Sequence, residues 1–154
     1  MNFDEFVAFD FHTHAEEPCC GPRDDGYDEF QAGMAAYFKN PASEGHLPTV
    51  QETAAYYRDR KIGAVIFPVD GERETGFRRY SNEEVAQICA ENDDILVPFA
   101  SIDPAKGKTG AREARRLVRE FGVRGSSFTR PCRGSIPMTG RPMYCTKPLP
   151  KKAR

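Results

Sequence analysis

The stretch "VAFDFHTHAE", residues 7–16, decides how the rest of the chain is read. Its first part is a short run of strand formers, about the length of a buried β-strand. It closes on His12 and His14, two of the three histidines in 154 residues. In a strand, alternate side chains share a face. Strict alternation sends Ala8, Asp10, His12 and His14 one way and Val7, Phe9 and Phe11 the other. The expectation is therefore three bulky apolar groups against a helix layer. A carboxylate and two imidazoles then lie opposite, near the carboxyl end of the strand.

Working outward, apolar runs alternate with helical patterns. "DEFQAGMAAYFK" has helix-like spacing at Phe30, Met34, Tyr37 and Phe38. "LPTVQETAAYYRDRKIG" opens on Thr49 with Glu52 three residues later, a capping-box signature, and Gly63 follows its basic end. "IGAVIFPV" reads as a second buried strand, "YSNEEVAQICAEN" as a helix capped by Ser81 with Glu84, and "DILVPFASID" as a third strand. "TGAREARRLVREFG" is a strongly periodic helix closed by Gly122, and "VRG" begins a fourth strand. This alternation predicts an α/β fold of parallel βαβ units, covered on both faces. Two long connections, 15–27 and 70–80, follow strand ends, where α/β proteins place active-site loops.

Composition bounds the function. The chain is 39% hydrophobic and 29% charged, as expected of a globular domain. A net charge of -1 gives no electrostatic case for nucleic acid or an anionic membrane. "MNFDEFVAFD" lacks the basic start of a targeting peptide, and no apolar run approaches the roughly 18 residues of a membrane span. Five cysteines, two of them adjacent, argue against a disulfide framework, so a cytoplasmic setting is expected.

Two imidazoles on one face of a strand can both reach one divalent ion at roughly 2.0–2.1 Å. That makes His12 and His14 the candidate metal ligands. Asp10 is either a supporting carboxylate or a sheet-face residue with no metal role. His46 reads as a surface histidine, Cys89 as a small core residue, and Cys19–Cys20 as loop residues.

"FDFHTHAE" resembles the first-strand signature of the amidohydrolase superfamily of metal-dependent TIM-barrel enzymes. "PTVQETAAYYRDRKIGAVIFPVD" and "NEEVAQICAENDDILVPFASIDPAKGKTGAREARRLVREFGVRG" resemble the amidohydrolase-related branch that includes aminocarboxymuconate semialdehyde decarboxylase and γ-resorcylate decarboxylase. The similarity covers most of residues 5–125. It implies the N-terminal portion of a (β/α)8 barrel, residues 1–125, with His12 and His14 as the first two ligands of a divalent metal, usually zinc. Another histidine and an aspartate would come from later strands. The implied activity is hydrolysis of a small carbonyl or carboxylate substrate, with nonoxidative decarboxylation as the alternative. Other H-x-H families fit less well. PHP-type phosphoesterases follow the pair with a serine-aspartate-glycine cluster, and here Asp25–Gly26 lies at another spacing without the serine. TatD-like nucleases share the pair but not the "ASIDP" to "GVRG" block.

After Gly125 the pattern stops. Residues 126–154 are proline-rich and basic, without helix or strand period. Either they form a basic partner-binding arm on a non-catalytic domain, or the gene has lost one nucleotide near the Gly125 codon. Reading the codons one base earlier forces aspartate across Met138–Thr139 and valine across Met143–Tyr144. The same shift permits a family-like strand, loop and helix. This reading expects an out-of-frame, disordered tail on an incomplete barrel, and an inactive or aggregation-prone product. A complete barrel takes about 250 residues and eight strands.

Overall fold

The computed structural model describes residues 1–17, 24–37 and 47–127. Its core alternates strand and helix: β1 (Ala8–His14), α1 (Tyr27–Tyr37), α2 (Val50–Asp59), β2 (Ile62–Phe67), α3 (Glu72–Thr75), α4 (Asn82–Glu91), β3 (Leu96–Ser101), α5 (Gly107–Glu120) and β4 (Gly125–Ser127). The four strands are parallel and lie side by side in chain order, β1-β2-β3-β4. The sheet curls into an α/β half-barrel. β4 runs two residues beyond the expected boundary, because Ser126 and Ser127 pair with Ala100 and Ser101. The rest of the C-terminal segment lies outside the described residues.

Local chemistry explains the helix ends. The Thr49 hydroxyl accepts the Glu52 amide and the Glu52 carboxylate accepts the Thr49 amide, a complete capping box. Ser81 caps α4 by accepting the Glu84 amide at 3.2 Å. Gly122 follows α5 in the left-handed region at φ 69°, as expected of its residue type. The turn after α2 differs from expectation. The positive φ of 53° falls on Lys61, while Gly63 lies inside β2.

The core lies between the sheet and the helices. Ala64 and Ile66 of β2 and Leu96 of β3 pack with Val50 and Ala54 of α2 and with Val85, Ile88 and Cys89 of α4. A second cluster joins Ala100 of β3 to Ala86 of α4, Leu117 of α5 and Val123. Cys89 is a core residue as expected, and burial pushes its thiol up to about 12.

These packed strand residues share one face, so α2, α4 and α5 all cover the same side. The helix cover therefore lies on one side of the sheet, and the other side is the inner face of the half-barrel. Crossovers between parallel strands that neighbour in chain order are right-handed as a rule, which brings the packed helices to one side of the sheet. The inner face has its own pattern, in which an aromatic ring covers a glycine on the next strand. Phe9 pairs with Gly63 and Phe99 with Gly125. A β-carbon on either glycine would fall 2.5 Å from the facing phenylalanine ring. Gly63 thus makes room for Phe9 and has no part in ending α2.

Candidate metal-binding half-site

β1 is not a regular strand. Asp10 pairs with Ala64 and Thr13 with Ile66, so two residues of β1, Phe11 and His12, oppose the single residue Val65. This is a β-bulge, and it changes the side-chain phase. Ala64 and Ile66 face the helices, and their partners Asp10 and Thr13 face the helices too. His14 pairs with Phe67 on the inner face, and the His12 and His14 rings both pack edge-on against Phe67, at centroid distances of 5.3 and 4.8 Å.

Strict alternation is therefore corrected in two ways. Asp10 does not share a face with the histidines, and Phe9 and Phe11 do not face the helix layer. The Phe9 and Phe11 rings contact each other at 4.9 Å, with Phe9 over Gly63 on the inner side. What survives is the relation between the two histidines themselves. They share a face, and their Nε2 atoms lie 3.0 Å apart.

That separation fits two donors to one ion. A cation held at roughly 2.0–2.1 Å from both nitrogens would subtend an angle of about 95° at the metal. Without metal, the same geometry is a hydrogen bond in which one Nε2–H donates to the other. His14 is half-buried, and burial followed by the adjacent His12 charge lowers its pKa below the ordinary histidine value. The neutral imidazole is the metal-binding form. Its Nδ1 is buried without a hydrogen-bond partner, whereas the second ring nitrogen of a metal-bound histidine normally donates to a carbonyl or carboxylate. Among the described residues, no group of three or more histidine, cysteine, aspartate or glutamate side chains could hold a metal ion. The donor set is thus a half-site of two imidazoles.

On the helix side, the Asp10 carboxylate is fully engaged. Oδ1 accepts the His12 amide at 2.8 Å; Oδ2 accepts the Tyr57 hydroxyl at 2.6 Å and the Thr13 hydroxyl at 3.0 Å. Tyr57 chiefly, then the His12 amide, hold its pKa below the usual carboxylate value. The Tyr57 phenol is raised in turn, first by burial and then by its bond to Asp10. Tyr57 follows Val50, Thr53 and Ala54 on the packed face of α2, a spacing that could have marked it in the sequence.

A second polar cluster, not singled out from the sequence, joins the carboxyl ends of β2 and β3. Asp70, 2% exposed, accepts the Asp103 amide at 3.0 Å and the Lys106 ammonium at 2.7 Å through Oδ2, with Arg79 at 3.5 Å. Its own amide donates to the Ser101 hydroxyl. Arg79 also pairs with Glu113, and Arg73 with Asp103. The sequence signal was available, since "PVDG" and "SIDP" each place an aspartate just past an apolar strand. With its charge met by Lys106 and Arg79, Asp70 is a staple between two loops. His46, Cys19 and Cys20 lie outside the described residues.

Fold and site together define a parallel α/β half-barrel carrying a convergent imidazole pair at the carboxyl end of its first strand. Comparison of the chain with family models, curated proteins and solved structures finds no match. No helix among the described residues is long and apolar enough to cross a membrane.

Proposed function

We propose that the chain carries the amino-terminal half of a metal-dependent, amidohydrolase-type TIM barrel whose substrate is a small carbonyl or carboxylate compound. His12 and His14 are its first two donors to a divalent cation, zinc in the leading reading. The observation that supports this is the approach of the two Nε2 atoms to 3.0 Å on the inner face of β1. A metal held there would supply Lewis acidity and an activated water for attack on a carbonyl carbon. The two imidazoles would hold such an ion, and Phe67 fixes both rings by edge-on packing.

A catalytic zinc site takes three protein donors and an open position. The described residues bring two, and weak metal binding is expected of these two donors by themselves. The test is titration of zinc, or cobalt as a visible reporter, into the metal-free protein. One ion per chain is expected, with affinity reduced on the order of tenfold or more in His12→Ala and His14→Ala, and far-ultraviolet circular dichroism unchanged. Wild-type affinity in both variants would overturn the proposal.

A further inference from the structure

We infer that Asp10 and Tyr57 are positioning residues that aim both imidazoles by locking the bulge in β1, an inference that rests on the metal-site reading above. Asp10, His12 and His14 are all even-numbered, so an unbroken strand would put them on one face, and Asp10 faces the helices opposite Ala64. The histidines would then be driven against α2, where Tyr57 and Thr13 meet Asp10. One extra residue between Asp10 and Thr13 reverses the phase and delivers both rings to the inner face beside Phe67.

A bulge leaves a backbone group without its ladder partner, and that group must be bonded elsewhere. Asp10 meets the need within its own turn, Oδ1 accepting the His12 amide two residues on. Its other oxygen ties the bulge to the helix layer. The carboxylate only accepts, so the Tyr57 and Thr13 hydroxyls both donate to the group around Oδ2. Tyr57 lies 47 residues away on α2, which makes the placement of that helix a determinant of where the imidazoles point. Asp10 touches no metal in this arrangement. It acts through the backbone of His12.

The test uses the full chain with two separate readouts. In metal-free protein, long-range ¹⁵N–¹H spectra report the His12 and His14 tautomers and their shared Nε2 proton. Cobalt titration reports whether the pair still acts together. Asp10→Ala is expected to remove the shared-proton signature and to weaken cobalt binding on the order of tenfold or more. Asp10→Asn, which keeps an oxygen for the His12 amide, is expected to restore most of both. Tyr57→Phe retains the packed ring and loses only the hydroxyl, so it tests the inference even where Asp10→Ala fails to fold. Its expected effect is a shift of both histidine resonances with signals from β3 and α5 unmoved. Histidine spectra identical to wild type in Asp10→Ala, or in Tyr57→Phe where Asp10→Ala does not fold, would overturn the inference. Failure of the wild-type chain to bind cobalt would instead sink the metal-site reading, and the metal-free spectra would still decide the role of Asp10.

Discussion

Asn82 offers a quantitative test of how the carboxyl end of β3 is held. It is the first residue of α4 and is 1% exposed. Its Nδ2 donates to the Ser101 carbonyl at 3.0 Å, and its Oδ1 accepts the Ser101 amide at 2.8 Å. Ser101 is wholly buried, so Asn82→Ala takes one hydrogen bond from each of two buried backbone groups, the Ser101 amide and carbonyl. Each such group costs about 1–3 kcal/mol, and alanine returns about 0.5 kcal/mol of helix propensity. The net expectation is a loss of about 1.5–5.5 kcal/mol, a large share of the ~5–15 kcal/mol stability of a typical domain. Urea unfolding at 25 °C measures it, with a lower midpoint and an unchanged slope. Asn82→Asp sharpens the test, because its carboxylate still accepts the Ser101 amide but confronts the Ser101 carbonyl. It should be as damaging as alanine at neutral pH and recover partly in mild acid, where a carboxyl proton can donate again. A loss below about 0.5 kcal/mol for Asn82→Ala would refute the reasoning, since it is smaller than one unmet buried group.

Two further predictions follow from the sheet. Gly63→Ala puts a methyl 2.5 Å from the Phe9 ring and 2.9 Å from the Phe6 ring, and should cost about 1–3 kcal/mol; adding Phe9→Leu should return part of it in a double-mutant cycle. The metal-free protein should lose stability as pH falls below about 6.5, because the unfolded chain protonates His14 first while burial and His12 depress its native pKa. Urea midpoints at pH 7.5 and 5.5 should differ in wild type and converge in His14→Gln.

Much of the fold was legible because its signals are local. Thr49 with Glu52, Ser81 with Glu84, and Gly122 each announce a helix end within a few residues, and the apolar runs at 62–67 and 96–101 have the length and composition of strands. The histidine pair was legible as well, since two residues two apart share a face wherever the strand between them is regular. What escaped were features set by distant partners. The bulge after Asp10 breaks the parity of β1, and it is held by Tyr57 from another element. Gly63 reads as a helix stop by proximity to "RDRK", and only the cross-strand position of Phe9 reveals its use. Asp70 and Asp103 lie at loop positions that the fold brings together.

The most direct test of the central claim is an anomalous-scattering map at the zinc edge, from crystals of the full chain grown with zinc. The account predicts one peak between His12 and His14, at roughly 2.0–2.1 Å from each Nε2. Zinc bound elsewhere, with the two imidazoles still hydrogen-bonded to each other, would contradict it.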